Sequence, residues 1–370
     1  MLIQFEPCRA KKKLTIDELE AKHLSMIAEQ KIDGERYLVQ TNAEYDSFLH
    51  GVTSRRQSEI TGRFVEKHDR VPHIANHPQL PPKSMFDCEF VSSGDAIYRE
   101  LPASMWDKLL EPNHPHMLWL RKKYDGHIPI YPHVSNTVSI MGSLPALAVS
   151  KQKERGLIWA YTFDMILYQG QNLTQNGQMA RRKFLAKHME EVDPEIGMVL
   201  MPAWINLTLQ ELEFFFYFLT DAGTDGEGII LKPQNEKYNA ASNWFKLKRD
   251  WPCDVVYTGG SKVGEHGITG KMFGYAASLE IGVYHHNMLF PIGWVSGIRQ
   301  GFAHLQTPDE HRISWAGKAI ECRHNGLQKD PSAPLGYTLR HPRFRRERAD
   351  KNPTDCTWEA LYAEASKKLD

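Results

Sequence analysis

Cysteine is scarce and scattered. The 370-residue chain carries five, Cys8, Cys88, Cys253, Cys322 and Cys356, each alone, with no C-x-x-C pair and an odd total. That pattern disfavours both a disulfide framework and a zinc site. No run of apolar residues reaches the length of about 18 that a membrane-crossing helix needs. The opening stretch from Met1 to Pro7 meets charge at Glu6 before an apolar core of the kind found in secretion signals can form. The expectation is a soluble protein of a reducing cytoplasm with no membrane partner. Charge of one sign is missing too, since 45 Lys and Arg cancel 45 Asp and Glu, which argues against nucleic-acid binding by gross charge. There is no internal repeat and no low-complexity tract. With 26 glycines, 21 prolines, 41% apolar and 11% aromatic residues, nothing in the composition points to disorder.

What is present exceeds one average domain, so two are expected. The best composition break falls at Arg249, Asp250, Trp251 and Pro252, where a basic strand ends in a proline. Before it, strand-like pieces at 36–39, 84–91, 158–167 and 228–232 alternate with helices. The clearest helix covers 209–219. Thr208 and Glu211 form a capping box, Leu209, Leu212, Phe216 and Leu219 share a face, and Gly223 follows as a stop. The aromatic run 214–218 reads as core packing. After the break, strand-like segments at 254–258, 275–284 and 289–295 fit a small Greek-key barrel. Trp358, Leu361, Tyr362 and Ala365 stand at helical spacing and predict a closing helix. Local basic clusters exist at Lys11, Lys12 and Lys13, at Lys246, Lys248 and Arg249, and along 340–351; each is compatible with a solvated face or with phosphate.

In Glu29-Gln30-Lys31-Ile32-Asp33-Gly34-Glu35-Arg36, a lysine and an aspartate stand two positions apart. In extended chain they face one side, and the glycine permits a tight bend that sets Lys31 in a cleft. An amine that attacks phosphorus must be neutral, which burial and neighbouring cations achieve by lowering its pKa. Arginine, permanently charged, could not replace it. On its own the K-x-D-G pattern also fits a surface lysine in a polar turn. The strongest second signal is Asp225-Gly226-Glu227-Gly228, followed by Ile229, Ile230, Leu231 and Lys232. Glycines on both sides of Glu227 let backbone and ligand approach, and the apolar run supplies a rigid strand. A carboxylate there suits Mg²⁺, a hard ion that needs few protein oxygens when phosphates supply the others. Trp244-Phe245-Lys246-Leu247-Lys248 alternates, so both lysines point to one face, where a phosphate between them relieves their repulsion.

In order along residues 25–351, these motifs resemble the covalent nucleotidyltransferase superfamily of DNA ligases, RNA ligases and mRNA capping enzymes, whose nucleophile motif reads K-x-D-G-x-R. Within it, the chain is similar to compact ATP-dependent DNA ligases of viral or bacterial-accessory type. The resemblance implies an α+β fold: an adenylation domain of ATP-grasp-like antiparallel sheets with helices over residues 1–252, then a C-terminal OB-fold barrel over 253–370. It implies that Lys31 carries AMP, with Asp33, Lys246 and Lys248 in catalysis, the two lysines on the α-phosphate. Glu29, Gln30 and Arg36 would contact the nucleotide, Glu89 its ribose, and Phe163 its adenine by stacking. Lys232 would lie near Glu227, the metal contact, and Arg55, after Thr53 and Ser54, would hold the 5'-phosphate of a DNA nick. Arg348, Asp350 and Lys351 match the superfamily's last motif, R-x-D-K. Arg348 and Lys351 would close over ATP and orient its leaving pyrophosphate, with Asp350 as a further metal contact. The stretch 98–155 is longer than in minimal members. Lys122, Lys123, His114 and His116 in it are candidates to face DNA, although a solvated loop is the plainer reading.

The implied function is the sealing of nicks in double-stranded DNA through a lysyl-AMP and a DNA-adenylate, with ATP and Mg²⁺ as cofactors and a monomer as the working unit. Thirty residues precede Lys31, leaving no expected N-terminal DNA-binding domain. Rivals within the superfamily are a GTP-using capping enzyme and an RNA ligase; the R-x-D-K motif favours DNA ligase or capping enzyme. A rival of another class is a nick-binding protein without catalysis, against which Lys31, Glu227, Lys246, Lys248 and Lys351 together speak. Unclustered cysteines argue against the NAD-dependent ligases, which add a zinc module. A phosphate-loop kinase is excluded because 264–272 has the wrong glycine spacing and Met272 stands where Ser or Thr should bind magnesium.

Overall fold

The computed structural model describes residues 10, 12–13, 25–41, 51–58, 61–77, 79–132, 134–221, 226–239, 243–248, 251–263, 276–298 and 307–366. Several positions singled out above lie outside the described residues: Cys8, Lys11, Gly223, Asp225, Arg249, Asp250, the stretch 264–272 and Tyr275, together with the side chains of Lys12 and Lys13. The chain divides into two compact units, Met1–Leu247 and Lys248–Asp370, against an expected boundary at residue 252. The long strand Trp251–Val263 carries Trp251 and Pro252 into the second unit's sheet, where they pair with His324 and Arg323. Among the described residues no helix is long and apolar enough to cross a membrane.

The first unit is built on two sheets. One runs Lys12–Lys13, Phe245–Lys248, Gly228–Pro233, Met26–Gln30, Ala203–Ile205; the other runs Gln171–Asn172, Ile158–Tyr168, Met85–Ser92, Glu35–Gln40, Gly51–Gln57, Phe64–Glu66. Met198–Leu200 adds to the second sheet, parallel to Ile158–Tyr168. Met85–Ser92 and Ile158–Tyr168 are buried along most of their length, which explains why both read as near-continuous apolar runs rather than alternating ones. Polar residues within them are paired: Asp164 accepts from Arg181 Nε and Nη2 at 2.8 and 2.9 Å, both side chains fully buried. This pair pins the helix Gln178–Met189 onto the strand of Phe163.

The helix expected at 209–219 runs Leu209–Thr220 with its capping box in place. Its inward face differs from the expected one. Leu212, Phe215, Phe218 and Leu219 are buried, Leu209 and Phe216 pack only at the edge, and Phe214 and Tyr217 stay 45% and 51% exposed. A five-aromatic run on a helix of 3.6 residues per turn cannot point inward throughout, so the run is core only in part.

The stretch 98–155 is folded. Ile97–Glu100 pairs antiparallel with His127–Ile130, the helix Pro115–Lys123 packs on that ribbon, and the helices Ser135–Met141 and Pro145–Arg155 pack on each other. His114 and His116 do not face outward to DNA. They are buried, with Nε2 of each on a backbone carbonyl, Ala186 at 2.8 Å and Val192 at 2.7 Å. Lys123 is likewise engaged, paired with Glu195 at 2.9 Å and lying 4.6 Å from the Trp119 ring.

In the second unit the strand order is Met288–Val295, Ala276–His285, Trp251–Val263, Ala319–His324, Arg343–Glu347, every pair antiparallel. The fourth strand thus crosses to the far side of the first, as in a Greek key. A bridge from Ser296 to Arg343 brings the two sheet edges together, closing a small five-stranded barrel. The helix Pro308–Trp315, with its own capping box at Thr307 and Glu310, and the final helix Trp358–Ser366 complete the unit.

Candidate active site

Met26–Gln30 pairs with Gly228–Pro233 in the register Gln30 to Ile229 and Glu29 to Ile230. As the chain leaves this sheet, the Lys31 N–H donates to Gly228 O at 2.8 Å. That bond sets the Lys31 side chain against the residue before Gly228, and its Nζ is ion-paired with Glu227. The two motifs, far apart in sequence, are joined by a single strand pairing. Gly228 has φ +129°, a conformation open to glycine and costly elsewhere. Gly34 sits at a bend, as expected, and it is required for a further reason: a Cβ there would lie 2.5 Å from Phe90 O and 2.8 Å from Glu89 Cγ. Its N–H donates to Glu89 Oε1 at 3.2 Å.

A cleft of about 490 Å³ opens here, walled by Lys31, Asp33, Arg36, Arg55, Lys67 and Glu89 among others. Burial pushes the Glu89 carboxyl up to about 7 despite the pull of Lys31, Arg36 and Arg55. Arg55 stands exposed on Gly51–Gln57, at the rim. Beside the cations expected around Lys31, the structure places a carboxylate, Glu227, against its ammonium.

Glu29, Phe163 and Lys232 are not among the cleft walls; they form a buried cluster of their own. Lys232 Nζ lies 2.6 Å from Glu29 Oε2, 4.5 Å from the Phe163 ring and 4.4 Å from the Trp244 ring. Burial raises the Glu29 pKa, and Lys232 opposes that rise. Its other oxygen, Oε1, is buried and has no hydrogen-bond partner among the described residues. Arg36 donates from Nε to Asp87 Oδ1 at 2.8 Å, Tyr238 hydrogen-bonds to the same carboxylate, and the guanidinium stands 5.1 Å from the Phe163 ring. Gln30 is nearly buried beside them. Lys246 and Lys248 share the half-exposed face of their strand, with Phe245 and Leu247 buried, as the alternation predicts.

In the second unit Arg348, Asp350 and Lys351 form a closed network. Arg348 Nη1 donates to both oxygens of Asp254 at 2.8 and 3.0 Å, its Nε and Nη2 donate to Asp350 at 2.9 and 3.0 Å, and Lys351 Nζ reaches Asp254 Oδ2 at 2.8 Å. Arg348 holds the Asp350 carboxyl below the usual range, and Asp254 pushes the Lys351 ammonium up. Asp350, expected as a metal contact, is therefore the partner of Arg348. Asp254, Arg348 and Lys351 line a pocket of about 310 Å³.

Trp244 heads the alternating motif quoted above, though no role was assigned to it; Tyr238 and Asp254 escaped as site residues, and nothing local marks them. For a divalent ion, no group of three His, Cys, Asp or Glu side chains able to hold one exists among the described residues. One carboxylate, Glu227 beside Lys31, still fits an ion that arrives with phosphate and water oxygens.

An α+β domain with a lysine at its cleft, followed by a five-stranded barrel, is the layout of a nucleotidyltransferase. Residues 7–248 match the ATP dependent DNA ligase domain family, and the chain belongs to that family. A DNA ligase of Methanospirillum hungatei is 28% identical over 208 residues, covering 51% of this chain and 35% of that protein. One of Acidianus ambivalens is 24% identical over 247 residues, 57% of this chain and 41% of that protein. The chain thus spans less than half the length of these curated relatives. A solved structure from a structure–function study of Lig E DNA ligases superposes with a TM-score of 0.56 at 15% identity, covering 94% of this chain and all of that one. At that identity the likeness is one of fold, and it extends over both units.

Proposed function

We propose that the chain is an ATP-dependent DNA ligase that acts as a cytoplasmic monomer on nicked duplex DNA. The observation that carries this reading is Lys31 on the wall of a polar cleft, ion-paired with Glu227 and flanked by Glu89, Arg36 and Arg55. Lys31 parts from Glu227, gives up a proton to solvent water, and its Nζ attacks the α-phosphorus of ATP; an N–P bond forms as the bond to the bridging oxygen breaks and pyrophosphate leaves. The 5'-phosphate at the nick, held by Arg55, then displaces Lys31 from phosphorus. The 3'-hydroxyl displaces AMP in turn and closes the strand. Lys246 and Lys248 offset the phosphate charge in these steps. Mg²⁺ held at Glu227 supplies further neutralisation of phosphate charge when bound. Arg348 and Lys351 turn from Asp254 to the leaving pyrophosphate.

Preference for ATP over GTP has support in Glu29. Glu29 lies behind the cleft walls, so the cluster must open for a base to reach it; its oxygen without a partner would then accept from the exocyclic amine of adenine, whereas guanine presents a carbonyl oxygen at the same ring position. This favours a ligase over a capping enzyme.

The test is intact-mass measurement after mixing with ATP and magnesium. Wild type gains one AMP and loses it to nicked duplex; Lys31→Ala gains none and still binds a pre-adenylylated nick. Undiminished labelling of Lys31→Ala removes the assignment, and a stable adduct from GTP but not ATP replaces it with capping.

A further inference from the structure

We propose that Lys67 is a second phosphate contact for the nucleic-acid strand lying in the Lys31 cleft, and that the stretch 98–155 holds it there. The proposal rests on the ligase reading above. Lys67 follows the strand Phe64–Glu66, which pairs with the strand of Arg55, and its N–H donates to Val52 O at 2.7 Å. It therefore shares the cleft wall with Arg55. Its ammonium donates to Met141 O at 3.0 Å, a carbonyl at the C-terminal end of the helix Ser135–Met141 that the helix itself leaves unsatisfied. The neighbouring Arg70 donates to Ser143 O at 2.8 Å, and Gln152 donates back to Arg70 O at 2.8 Å. Three bonds thus fasten the stretch 98–155 to this corner of the cleft.

One neutral carbonyl does not balance an ammonium with three donors. Among the described residues no carboxylate lies within ion-pair reach of Lys67 Nζ. Burial, and after it Arg70, lower its pKa, while the more distant carboxylates of Glu35 and Asp69 pull the other way without forming an ion pair with it. An anionic oxygen entering the cleft satisfies the remaining donors, and phosphate is the anion that a nicked strand offers beside Arg55. Its source is either the terminal 5'-phosphate or an internal phosphodiester of the same strand.

The experiment measures binding of wild type, Lys67→Gln and Lys67→Arg to two nicked duplexes, one with a 5'-phosphate and one with a 5'-hydroxyl, across a salt series. Lys67→Gln keeps a donor for Met141 O and removes only charge. It is expected to bind the phosphorylated nick about tenfold more weakly with a salt slope lower by about one, while Lys67→Arg stays near wild type. A loss confined to the phosphorylated nick assigns the terminal phosphate, and an equal loss on both assigns an internal phosphodiester; either supports the proposal. Unchanged affinity for both nicks overturns it, including the case where Lys67→Gln only melts earlier, as a residue that merely caps a helix would. Loss of AMP loading with both affinities intact also overturns it, since Lys67 then serves the nucleotide. Wild-type AMP loading is read in parallel: its absence refutes the ligase reading itself, whereas failure of Lys67 alone is visible only in the variants.

Discussion

Glu29 and Lys232 face each other with 4% and 1% of their side chains exposed, so neither charge has water to fall back on. The Lys232 ammonium is covered by two aromatic faces and bonds weakly to Phe163 O at 3.3 Å. Removing one partner of a buried pair leaves the other uncompensated, at about 3–5 kcal/mol. Lys232→Met is therefore expected to destabilise the first unit by that order in urea denaturation, and Glu29→Gln with Lys232→Met to recover most of the loss. The sign with pH follows. Without Lys232 the folded Glu29 carboxyl is raised further above its ordinary 4.5, so the folded state holds a proton that the unfolded state releases. Stability of Lys232→Met must then fall as pH rises from about 5 to 8. Equal destabilisation at both pH values would mean that Glu29 is not the group left stranded.

The helix Pro115–Lys123 carries a histidine whose protonation state is dictated by its neighbours. Nδ1 of His116 accepts from the Leu200 N–H at 2.9 Å, so the ring proton sits on Nε2 and is donated to Val192 O at 2.7 Å. A second proton would have to displace the Leu200 bond, and burial pushes the ring down to about 4 from its ordinary 6.5. The neutral ring's contribution is whole above pH 6.5 and is lost as pH falls towards 4, roughly 3 kcal/mol over that window. His116→Gln should be less stable than wild type at pH 7 and show a flatter decline from pH 6.5 to 4.5 in urea midpoints; parallel curves would count against the assignment. The same helix shows where sequence reading stops. The capping box at Thr208 and the strands Met85–Ser92 and Gly228–Pro233 are legible because each depends on a few adjacent residues. The burial of His114 and His116 depends on carbonyls of Ala186 and Val192, which no spacing reveals. Lys31 and Glu227 could be singled out by their glycines, whereas Tyr238 and Asp254 acquire meaning only when the tertiary fold brings them to Asp87 and Arg348.

At the scale of the chain, apolar burial falls into cores that share no residue between the units. One cluster runs from Ala28 to Leu247, and the barrel's cluster holds Val255, Ile281, Ile320 and Phe344. Cooperative unfolding follows contiguous packing, so damage to one core should loosen its own strands first. Ile320 is fully buried on Ala319–His324, a strand with a partner on each side. Truncating it to alanine removes buried surface and leaves a cavity, at about 2–5 kcal/mol. In hydrogen exchange read by mass spectrometry, Ile320→Ala should lose protection along Ala319–His324 and Trp251–Val263, while Met85–Ser92 and Ile158–Tyr168 keep theirs. If instead protection falls in step across both units, the chain unfolds as one cooperative body and the two cores are not independent.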